Sequence, residues 1–482
     1  MSEQPNILLI ILDSVRARNC SLYKYNNQTT PFLERFSNSA TLFKNAKSPG
    51  IHSIASHVSM FSGHHVEEHK LSGHTANLDM ESSIWGHLSE ECGYSTSLFS
   101  PNLIITETSN LGQHFDHCSG PKRNTNQRLF SDAISPEDFK DANSVPDYLQ
   151  KCYQSEDMLK AFINGVYSKI YMNENVSASP KKERANVYLQ EASEWIESQN
   201  RPWAVCINLM DAHFPYLPLA EYDCWGGEYF RDLQEDLPNQ PLSKTFLEGR
   251  PWGQLRALES LYDGCIYQMD SMLDDFIKNI KDMGEYENTF ITITSDHGEA
   301  FGEKCHTTPP VRLVDHSWGI DEVLTHVPLL TKSPYQTDSE TINSISSLVN
   351  FKSAVERTVD GGDPTREFVC ENGKALASTY RLEDDSDKYD EIDADISPYF
   401  GPWRAVYSEE GERIKKYEYH DDDTVILDVS DPQYTKYLSK GDESTIEEFL
   451  KEMVSSDSKI GKMSGRVQGE TIEHLRDLGY FE

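Results

Sequence analysis

The stretch NILLIIL at residues 6–12, followed directly by Asp13, decides the fold that we expect for this chain. A continuous apolar run of this length is typical of a strand that is buried on both faces of a parallel sheet. Similar short runs alternate with helical patterns along the chain. The runs lie at residues 95–100, 203–209 and 289–294, and the helical patterns lie at residues 31–39, 182–198 and 254–283. This alternation predicts an α/β fold in which helices cover both faces of a doubly wound sheet.

Aspartates stand at the ends of three of the predicted strands. Asp13 follows the first run, Asp211 follows residues 203–209, and Asp296 follows residues 289–294. In open α/β sheets, ligands bind where the strands end. We therefore expect these three carboxylates to converge on one edge of the sheet.

The sequence pattern changes after Pro328. Residues 383–395 carry eight carboxylates. We expect this segment to be a solvated loop; a cation-binding loop is the less favoured interpretation. A small antiparallel sheet and a last helix are predicted from the segments 404–407, 413–417, 424–427 and 470–478. We divide the chain into a catalytic α/β domain, residues 1–335, and a C-terminal subdomain, residues 336–482.

The composition is strongly acidic. In 482 residues, 79 Asp and Glu oppose 44 Lys and Arg, and the formal net charge at pH 7 is -35. Such a surface disfavours nucleic acids and anionic membranes as partners, because the sequence contains no segregated basic patch. Concentrated salt inside the cell would screen the repulsion between surface carboxylates. We therefore favour a halophilic protein over an ordinary acidic cytosolic protein.

Salt is therefore expected to stabilise this protein. Raising NaCl or KCl into the molar range shortens the Debye length to about 3 Å, so repulsion between surface carboxylates falls and the thermal unfolding midpoint should rise. A thermal melt at increasing salt concentration, with sucrose as an uncharged control, measures this effect. A midpoint that does not change with salt would exclude the halophilic interpretation.

The cysteines and the N-terminal sequence favour the cytoplasm. The nine cysteines include no CxxC pair, and an odd number in a long chain indicates free thiols in a reducing compartment. The apolar run at residues 7–12 is too short for the hydrophobic part of a signal peptide, and no segment approaches the length of a membrane span. We expect a soluble, cytoplasmic protein.

Two segments carry residues that suit chemistry at a metal ion. Asp296 and His297, at the end of a predicted strand, offer a carboxylate and an imidazole to a divalent cation, although such pairs also occur in hydrogen-bonded turns. Ser53 lies in a loop that enters a helix, where the helix dipole and free N–H groups favour a deprotonated hydroxyl and an incoming anion. The alternative for Ser53 is that it only caps the helix.

These segments, with others, resemble the sulfatases of the alkaline phosphatase superfamily in identity, order and spacing. The resemblance covers nearly the whole chain through the motifs PNILLIILDSVR (5–16), TPFL (30–33), FKNA (43–46), the Ser53 segment ending in FSG (61–63), DAHFPY (211–216), TSDHGE (294–299), DEVLTHVP (321–328), RAVY (404–407), LDVSDP (427–432) and LRDLGY (475–480). It implies an alkaline-phosphatase-like fold: a mixed doubly wound sheet with helices on both faces, followed by a small antiparallel sheet and a helix.

The resemblance also implies a metal site. Asp13, Asp296 and His297 would hold one divalent cation, with the Ser53 side chain completing the site. Ca²⁺ is the cation expected from the family, and Mg²⁺, Mn²⁺ and Zn²⁺ are the alternatives.

Catalytic and substrate-binding roles follow from the same resemblance. His213 and His316 match positions that contact the ester and assist the leaving oxygen, and His306 is the alternative to His316. The residues expected to bind substrate are Arg16, His57 and Asn102.

Three positions depart from the family pattern. Ser14 stands where many sulfatases have a second aspartate, so one metal ligand is replaced by a hydroxyl or water. Asn102 stands where an anion-binding lysine is expected, and it offers only a neutral donor. His57 replaces the arginine of the motif that directs conversion of the nucleophile to formylglycine, so Ser53 is either modified or a plain serine.

The resemblance implies hydrolysis of a sulfate ester, a small anionic substrate of which a sulfated glycan is one example. A plain serine would suit phosphorus better, as in a phosphatase, phosphodiesterase, phosphonate hydrolase or phospho-group transferase. A catalytically silent relative that binds a glycan is the second alternative. The sequence predicts no oligomeric state.

Overall fold

A computed structural model provides the structure of the chain. It describes residues 4–122, isolated positions between 133 and 165, and residues 184–238, 240–307, 311–380, 392, 395–455 and 459–463. The predicted last helix at 470–478 lies outside the described residues, as does most of the acidic segment 383–395.

The described residues form seventeen strands. In chain order they are β1 (Asn6–Leu12), β2 (Thr41–Lys47), β3 (Ala76–Leu78), β4 (Ser95–Phe99), β5 (His117–Ser119), β6 (Trp203–Leu209), β7 (Thr289–Thr294), β8 (Ala300–Lys304), β9 (Arg312–Asp315), β10 (Leu329–Lys332), β11 (Glu340–Ser347), β12 (Lys374–Thr379), β13 (Trp403–Glu410), β14 (Arg413–His420), β15 (Asp423–Asp431), β16 (Tyr434–Lys440) and β17 (Gly461–Met463).

Eight strands form one large mixed sheet, in the order β11–β2–β10–β7–β1–β6–β4–β5. At its centre β1 pairs in parallel with β6 and β7, and β4 continues the parallel pairing beyond β6. The exception to the parallel arrangement is β10, which is antiparallel to both β7 and β2. The predicted doubly wound mixed sheet is thus confirmed.

Eleven α-helices lie in the described residues, and the last of them packs against the C-terminal sheet. They are α1 (Pro31–Phe36), α2 (Ser53–Ser62), α3 (Val66–His69), α4 (Ile84–Glu90), α5 (Ala185–Glu197), α6 (Glu228–Glu235), α7 (Leu242–Leu247), α8 (Trp252–Asp282), α9 (Glu322–Thr325), α10 (Phe351–Val359) and α11 (Glu443–Met453). Helix α2 ends at Gly63, which adopts a left-handed φ of 75° that favours glycine.

Strand β1 is buried on both faces, as its continuous apolar sequence predicts. Alternate side chains belong to two hydrophobic clusters: Leu8, Ile10 and Leu12 pack with residues of α8, whereas Ile7, Leu9 and Ile11 pack with residues of α2. Burial of each such side chain contributes about 1.5–3 kcal/mol to folding. The core therefore holds the end of β1, and the residue after it, in place.

The C-terminal region contains a second sheet, antiparallel, in the order β12–β13–β14–β15–β16. This sheet confirms the predicted one and extends each of its three predicted segments. The large sheet itself continues past the predicted boundary at residue 335, because β11 pairs with β2.

The chain divides into two compact units. The first comprises residues 1–120 and 184–482, and therefore includes both sides of the predicted boundary at 335. The second unit is residues 121–183, in which Tyr148, Cys152 and Ala161 form a small apolar cluster. Among the described residues, no helix has the length and apolar character needed to cross a membrane.

Candidate active site

The carboxyl ends of β1 and β7 bring two of the predicted aspartates together. The strands run in parallel with Ile11 opposite Thr294, so both end at the same edge of the sheet. Asp13 and Asp296 follow directly, and both side chains are fully buried. With His297 they form the metal-ligand group, whose candidate ligand atoms all lie within 4.8 Å of one another.

Asp211 does not join this group, which corrects the expectation that three carboxylates converge. Its Oδ2 accepts a hydrogen bond from the backbone N–H of Ala185 at 2.9 Å. Its Oδ1 accepts one from the side chain of Gln268 at 2.6 Å. The first bond satisfies a donor in the first turn of α5, and the second connects the end of β6 to α8, so Asp211 has a structural role.

The imidazole of His297 is oriented for metal binding. Its Nδ1 lies 2.9 Å from the carbonyl oxygen of Gly298 and donates its proton there, so Nε2 carries the lone pair. Nε2 is 3.5 Å from Oδ2 of Asp296 and 4.0 Å from Oδ1 of Asp13. Burial lowers the pKa of His297, but the carboxylates of Asp296 and Asp13 outweigh it and raise the pKa above its ordinary value.

The turn after His297 requires a glycine. Gly298 donates its backbone N–H to the carbonyl of Leu324 in α9 at 2.8 Å. A Cβ at this position would lie 1.9 Å from the carbonyl oxygen of Val323. A side chain would therefore separate α9 from the loop that carries Asp296, so packing as well as metal chemistry explains the sequence Asp-His-Gly.

Ser53 is the first residue of α2, and its hydroxyl faces the metal-ligand group. His52 is the N-cap residue, and no described side chain caps this helix end, so Ser53 is not the capping residue. The Ser53 Oγ lies 3.3 Å from Oδ2 of Asp13 and 3.4 Å from Nε2 of His297. The helix dipole favours negative charge on an oxygen at this position.

The charges of the metal-ligand group fit a divalent cation. Oδ2 of Asp296 accepts no hydrogen bond from the described residues, and burial together with the charge of Asp13 raises the pKa of Asp296. Burial also raises the pKa of Asp13, but His297, His213 and the amide of Asn208 outweigh it and lower the pKa to about 2. Two buried carboxylates, one imidazole and a hydroxyl suit hard or borderline divalent ions.

Two asparagines orient the carboxylate of Asp13. The side-chain amides of Asn102 and Asn208 each donate to Oδ2 of Asp13 at 3.2 Å. Asn102 is thus a neutral donor, and in the structure it donates to Asp13, a candidate metal ligand. Asn208 was missed by sequence reasoning, although a polar residue within the apolar run of β6 is a usable signal, because a buried amide needs hydrogen-bond partners.

Three histidine rings, those of His297, His213 and His52, lie near the ring of His316. The ring centroid of His316 lies 4.4 Å from that of His297, 5.3 Å from that of His213 and 5.8 Å from that of His52. Nδ1 of His213 donates to the carbonyl of Phe214 at 2.8 Å. The structure therefore brings both predicted catalytic histidines to the metal-ligand group and adds His52, the N-cap residue of α2.

Glu299 holds the ring of His316. Its Oε2 accepts a hydrogen bond from Nδ1 of His316 at 3.0 Å, and its Oε1 accepts one from the hydroxyl of Tyr216 at 2.7 Å. Burial raises the pKa of Glu299 to about 7. Glu299 lies in the predicted motif TSDHGE, but only the fold reveals that it acts on His316.

The alternative between His316 and His306 is decided by their neighbours. His316 lies beside His297, whereas Nδ1 of His306 lies 3.4 Å from Oδ2 of Asp321. His306 is not a member of the metal-ligand group. The structure therefore places His316, and not His306, beside the metal-ligand group.

Arg16, which was predicted to bind substrate, has no exposed surface, and its contacts are with other residues of the chain. Its guanidinium pairs with Glu259 and, at 2.9 Å, with Glu303. It also donates to the side chain of Asn19 and, at 3.0 Å, to the carbonyl of Glu299. Burial lowers the pKa of Arg16, but the two glutamates outweigh it and raise the pKa, so the charge is retained for these structural contacts.

His57, which was also predicted to bind substrate, is buried. It lies one turn along α2 from Ser53, and its Nδ1 donates to the carbonyl of Ser53 at 2.7 Å. The same nitrogen is 3.9 Å from Oδ2 of Asp296. Burial lowers the pKa of His57 despite this carboxylate, so a neutral ring supports the helix below the metal-ligand group.

Several solved structures share this fold. The phosphonate monoester hydrolase of Agrobacterium radiobacter is 14% identical, with a TM-score of 0.56 over 89% of this chain and 90% of that chain. A 2-O GAG sulfatase is 13% identical, with a TM-score of 0.57 over 93% and 90% of the two chains. A protein solved with its substrate D-glucosamine-2-N,6-O-disulfate is 14% identical, with a TM-score of 0.56 over 94% and 96%.

The sequence itself matches a protein family. None of the curated proteins matches this sequence. Residues 5–357, however, match the family model described as Sulfatase, and this range includes every residue of the metal-ligand group as well as Ser53. The chain therefore belongs to the sulfatase family.

Proposed function

We propose that this chain hydrolyses a sulfate ester with the hydroxyl of Ser53 as the nucleophile. The observation that carries the proposal is the position of Ser53 Oγ at the N-terminus of α2, within hydrogen-bonding range of Asp13 and His297. A hydroxyl among metal ligands is activated by the same cation that they bind. Membership of the sulfatase family supports chemistry on an anionic ester at this oxygen.

The cation would be held by Asp13, Asp296, His297 and Ser53. When bound, it supplies Lewis acidity that polarises the ester and lowers the pKa of a coordinated hydroxyl. Ca²⁺ is our first candidate because most of these ligands are hard oxygens, and Mg²⁺, Mn²⁺ and Zn²⁺ are the ions to compare.

Ser53, His213 and His316 have separate roles in the proposed cleavage of the ester. Ser53 Oγ loses its proton to water and forms a bond to sulfur while the bond from sulfur to the alcohol oxygen breaks. His213 donates a proton to the departing oxygen, and His316, held by Glu299, contacts the sulfate oxygens. Water then attacks the sulfur of the sulfo-serine, which releases sulfate and restores the hydroxyl. If Ser53 is formylglycine, one hydroxyl of its diol carries the sulfate, and the other loses its proton as the C–O bond to sulfate breaks and the aldehyde forms again.

The charge of the site favours a substrate with a single negative charge. Asp13 and Asp296 together neutralise one divalent cation. Among the described residues, the ion-pair contacts of these two carboxylates are with the histidines His57 and His297 and not with Lys or Arg. A sulfate monoester carries one negative charge at neutral pH, whereas a phosphate monoester, with a second pKa of about 6, carries nearly two. We therefore place sulfate esters ahead of phosphate monoesters.

A phosphodiester or phosphonate monoester is the second candidate, because it also carries one charge. His57 stands where the motif that directs the modification has arginine, which favours an unmodified Ser53. An unmodified serine in turn favours this second candidate. A plain serine would form a phosphoserine that water resolves or that passes to an acceptor alcohol.

The two candidates are tested by mass and by paired assays. The mass of the peptide containing Ser53 shows whether the serine has become formylglycine. The 4-nitrophenyl esters of sulfate, phosphate and phenylphosphonate are then compared at saturating cation. We expect sulfate to give the highest kcat/KM; a preference for the phosphonate with an unmodified serine would replace our first candidate by the second.

The alcohol part of the substrate is proposed to be a sugar. Two of the similar structures are a 2-O GAG sulfatase and a protein bound to a disulfated glucosamine. A panel of monosaccharide sulfates, with release of inorganic sulfate as the readout, tests this choice. Turnover of aryl sulfates alone would contradict it.

Replacing His213 by alanine should affect substrates according to their leaving groups. An alkyl sulfate needs a proton on the departing oxygen, so we expect kcat/KM to fall by about 10²–10⁴-fold. A 4-nitrophenolate leaves without a proton, so its loss should be much smaller. The exposed His117 provides the control variant, His117→Ala. Equal losses for both substrates would contradict the assignment of His213 as the proton donor.

A further inference from the structure

A second group of metal-binding side chains lies where the C-terminal sheet meets the segment after β8. His306 follows β8, Asp321 is the N-cap residue of α9, and Glu418 lies on β14. One candidate ligand atom from each lies within 4.8 Å of the other two. Nδ1 of His306 is 3.4 Å from Oδ2 of Asp321. None of the three belongs to the metal-ligand group of the active site.

The environment of Glu418 is the evidence for a bound ligand. Its side chain is 0% exposed, and neither carboxylate oxygen accepts a hydrogen bond from the described residues. Its close ion-pair contact is Nζ of Lys416, 3.2 Å from Oε2. Nδ1 of His306 likewise has no well-aligned hydrogen bond among those residues. Buried carboxylates are normally hydrogen-bonded, because desolvation without a partner is costly.

The surrounding ammonium groups do not balance the carboxylates. Lys416 is also 3.7 Å from Oε1 of Glu322, and Lys47 is 2.6 Å from Oε2 of the same residue. Three buried carboxylates, those of Asp321, Glu322 and Glu418, therefore share two ammonium groups. With a neutral imidazole at His306 one negative charge remains, which a bound cation or a proton on His306 would neutralise.

Two of the three residues border a cavity that is open to solvent. His306 and Asp321 line a cavity of ≈ 270 Å³ that Arg18, Pro432 and Thr435 also line. The cavity gives an ion a path to His306 and Asp321, and it leaves room for water as a further ligand. Tetrahedral ligands at zinc distances lie about 3.3–3.6 Å apart, and the spacing between His306 and Asp321 falls within that range.

We propose that His306, Asp321 and Glu418 form a second metal site, which binds a divalent transition-metal ion of the Zn²⁺ type with water as a fourth ligand. One imidazole and two carboxylates, with water as the fourth ligand, are a ligand set that zinc accepts.

The site has a structural role through α9. Asp321 accepts the N–H of Val323 at 3.2 Å, at the start of that helix. The carbonyl of Leu324 in the same helix accepts the N–H of Gly298, in the loop that carries the metal-ligand group. An ion held by Asp321 therefore stabilises the helix on which the catalytic loop rests.

Zinc binding to the full chain tests the proposal. The titration uses the Asp296→Asn background, so that the active-site group does not compete, and 1 M NaCl, so that surface carboxylates are screened to about 3 Å. Bound zinc is measured by atomic absorption after removal of free metal, and affinity by competition with a chromophoric chelator. We expect one zinc equivalent per chain. Adding His306→Ala should weaken binding by more than the roughly 10–100-fold typical of losing an outer-shell partner.

His87→Ala is the matched control. His87 lies 3.4 Å from a carboxylate oxygen of Glu91, the same spacing as in the pair of His306 and Asp321, and it is not part of a three-ligand group among the described residues. It should leave zinc binding unchanged. Equal losses in the two histidine variants, or no loss in either, would mean an adventitious ion only and would overturn the proposal.

Glu418→Gln provides a second variant with almost the same shape. It should remove zinc binding and should also remove the rise in thermal midpoint that zinc causes in the Asp296→Asn background. If this buried substitution prevents folding, His306→Ala decides the question, because the His306 side chain is 26% exposed and its loss leaves the core intact. Full zinc affinity in a folded Glu418→Gln chain would overturn the assignment of Glu418.

Discussion

Replacing Ser53 by alanine should remove turnover of every substrate class while the cation still binds. The Ser53 hydroxyl is the oxygen at the N-terminus of α2 that faces both Asp13 and His297. Both sulfur and phosphorus chemistry require this atom in line with the leaving oxygen. We expect kcat to fall by roughly 10⁴–10⁶-fold, the range seen when a catalytic nucleophile is deleted.

The experiment combines kinetics with a metal titration. Ser62→Ala is the control, because Ser62 lies on the same helix and its hydroxyl donates only to the carbonyl of Val58 in the structure. It should leave kcat within a few-fold of the wild-type value. If Ser53→Ala keeps most of its activity with the cation bound, water attacks the ester directly and the proposed nucleophile is wrong.

Replacing Asp296 by asparagine should weaken cation binding and abolish turnover without unfolding the protein. Oδ1 of Asp296 accepts the backbone N–H groups of Ser14 and His297, and an asparagine oxygen can keep these bonds. Oδ2, without a hydrogen bond from the described residues, is the atom expected to bind the ion. Loss of this charged ligand should reduce affinity by more than about 100-fold.

The stability of the metal-free variant gives an independent readout. Burial and Asp13 raise the pKa of Asp296, so the native state binds its proton more tightly than the unfolded state. Its ionised form therefore destabilises the metal-free wild type, and this cost grows as the pH rises above the ordinary carboxyl pKa. Metal-free Asp296→Asn should consequently melt at or above the temperature of metal-free wild type at pH 7.

Asp211→Asn is the matched control for Asp296→Asn, because Asp211 also follows a central strand. An asparagine there keeps only one of the two acceptors used by Ala185 and Gln268. We expect lower stability and unchanged cation stoichiometry. If Asp296→Asn binds the cation with wild-type affinity, the proposed metal-ligand group is wrong.

The central part of the fold was predictable because its signal is local. The run in β1 has apolar side chains on both faces, and only a buried strand accommodates that pattern. The same reasoning found β6 and β7 within a residue of their observed bounds. It missed β2, whose sequence TLFKNAK includes two lysines and an asparagine; Lys47 is nonetheless buried because Glu322 pairs with it.

The candidate site was predicted in part. Asp13, Ser53, Asp296 and His297 lie together as expected, since parallel strands ending at one edge bring distant residues close. The substrate-binding roles of Arg16 and His57 stay predictions. Glutamates from α8 and β8 surround Arg16, and Nδ1 of His57 donates to a backbone carbonyl, and neither contact could be read from the motifs.

The sequence by itself determined which segments become buried strands, that carboxylates follow their ends, and which family motifs the chain carries. These features depend on the order of side chains along a few neighbouring residues. The tertiary structure alone decided which strand-end carboxylates share a site: Asp13 and Asp296 meet, whereas Asp211 turns to α5 and α8. It also separated His316 from His306 and brought Glu418 to Asp321, because such contacts depend on how helices and a second sheet pack, which no local pattern encodes.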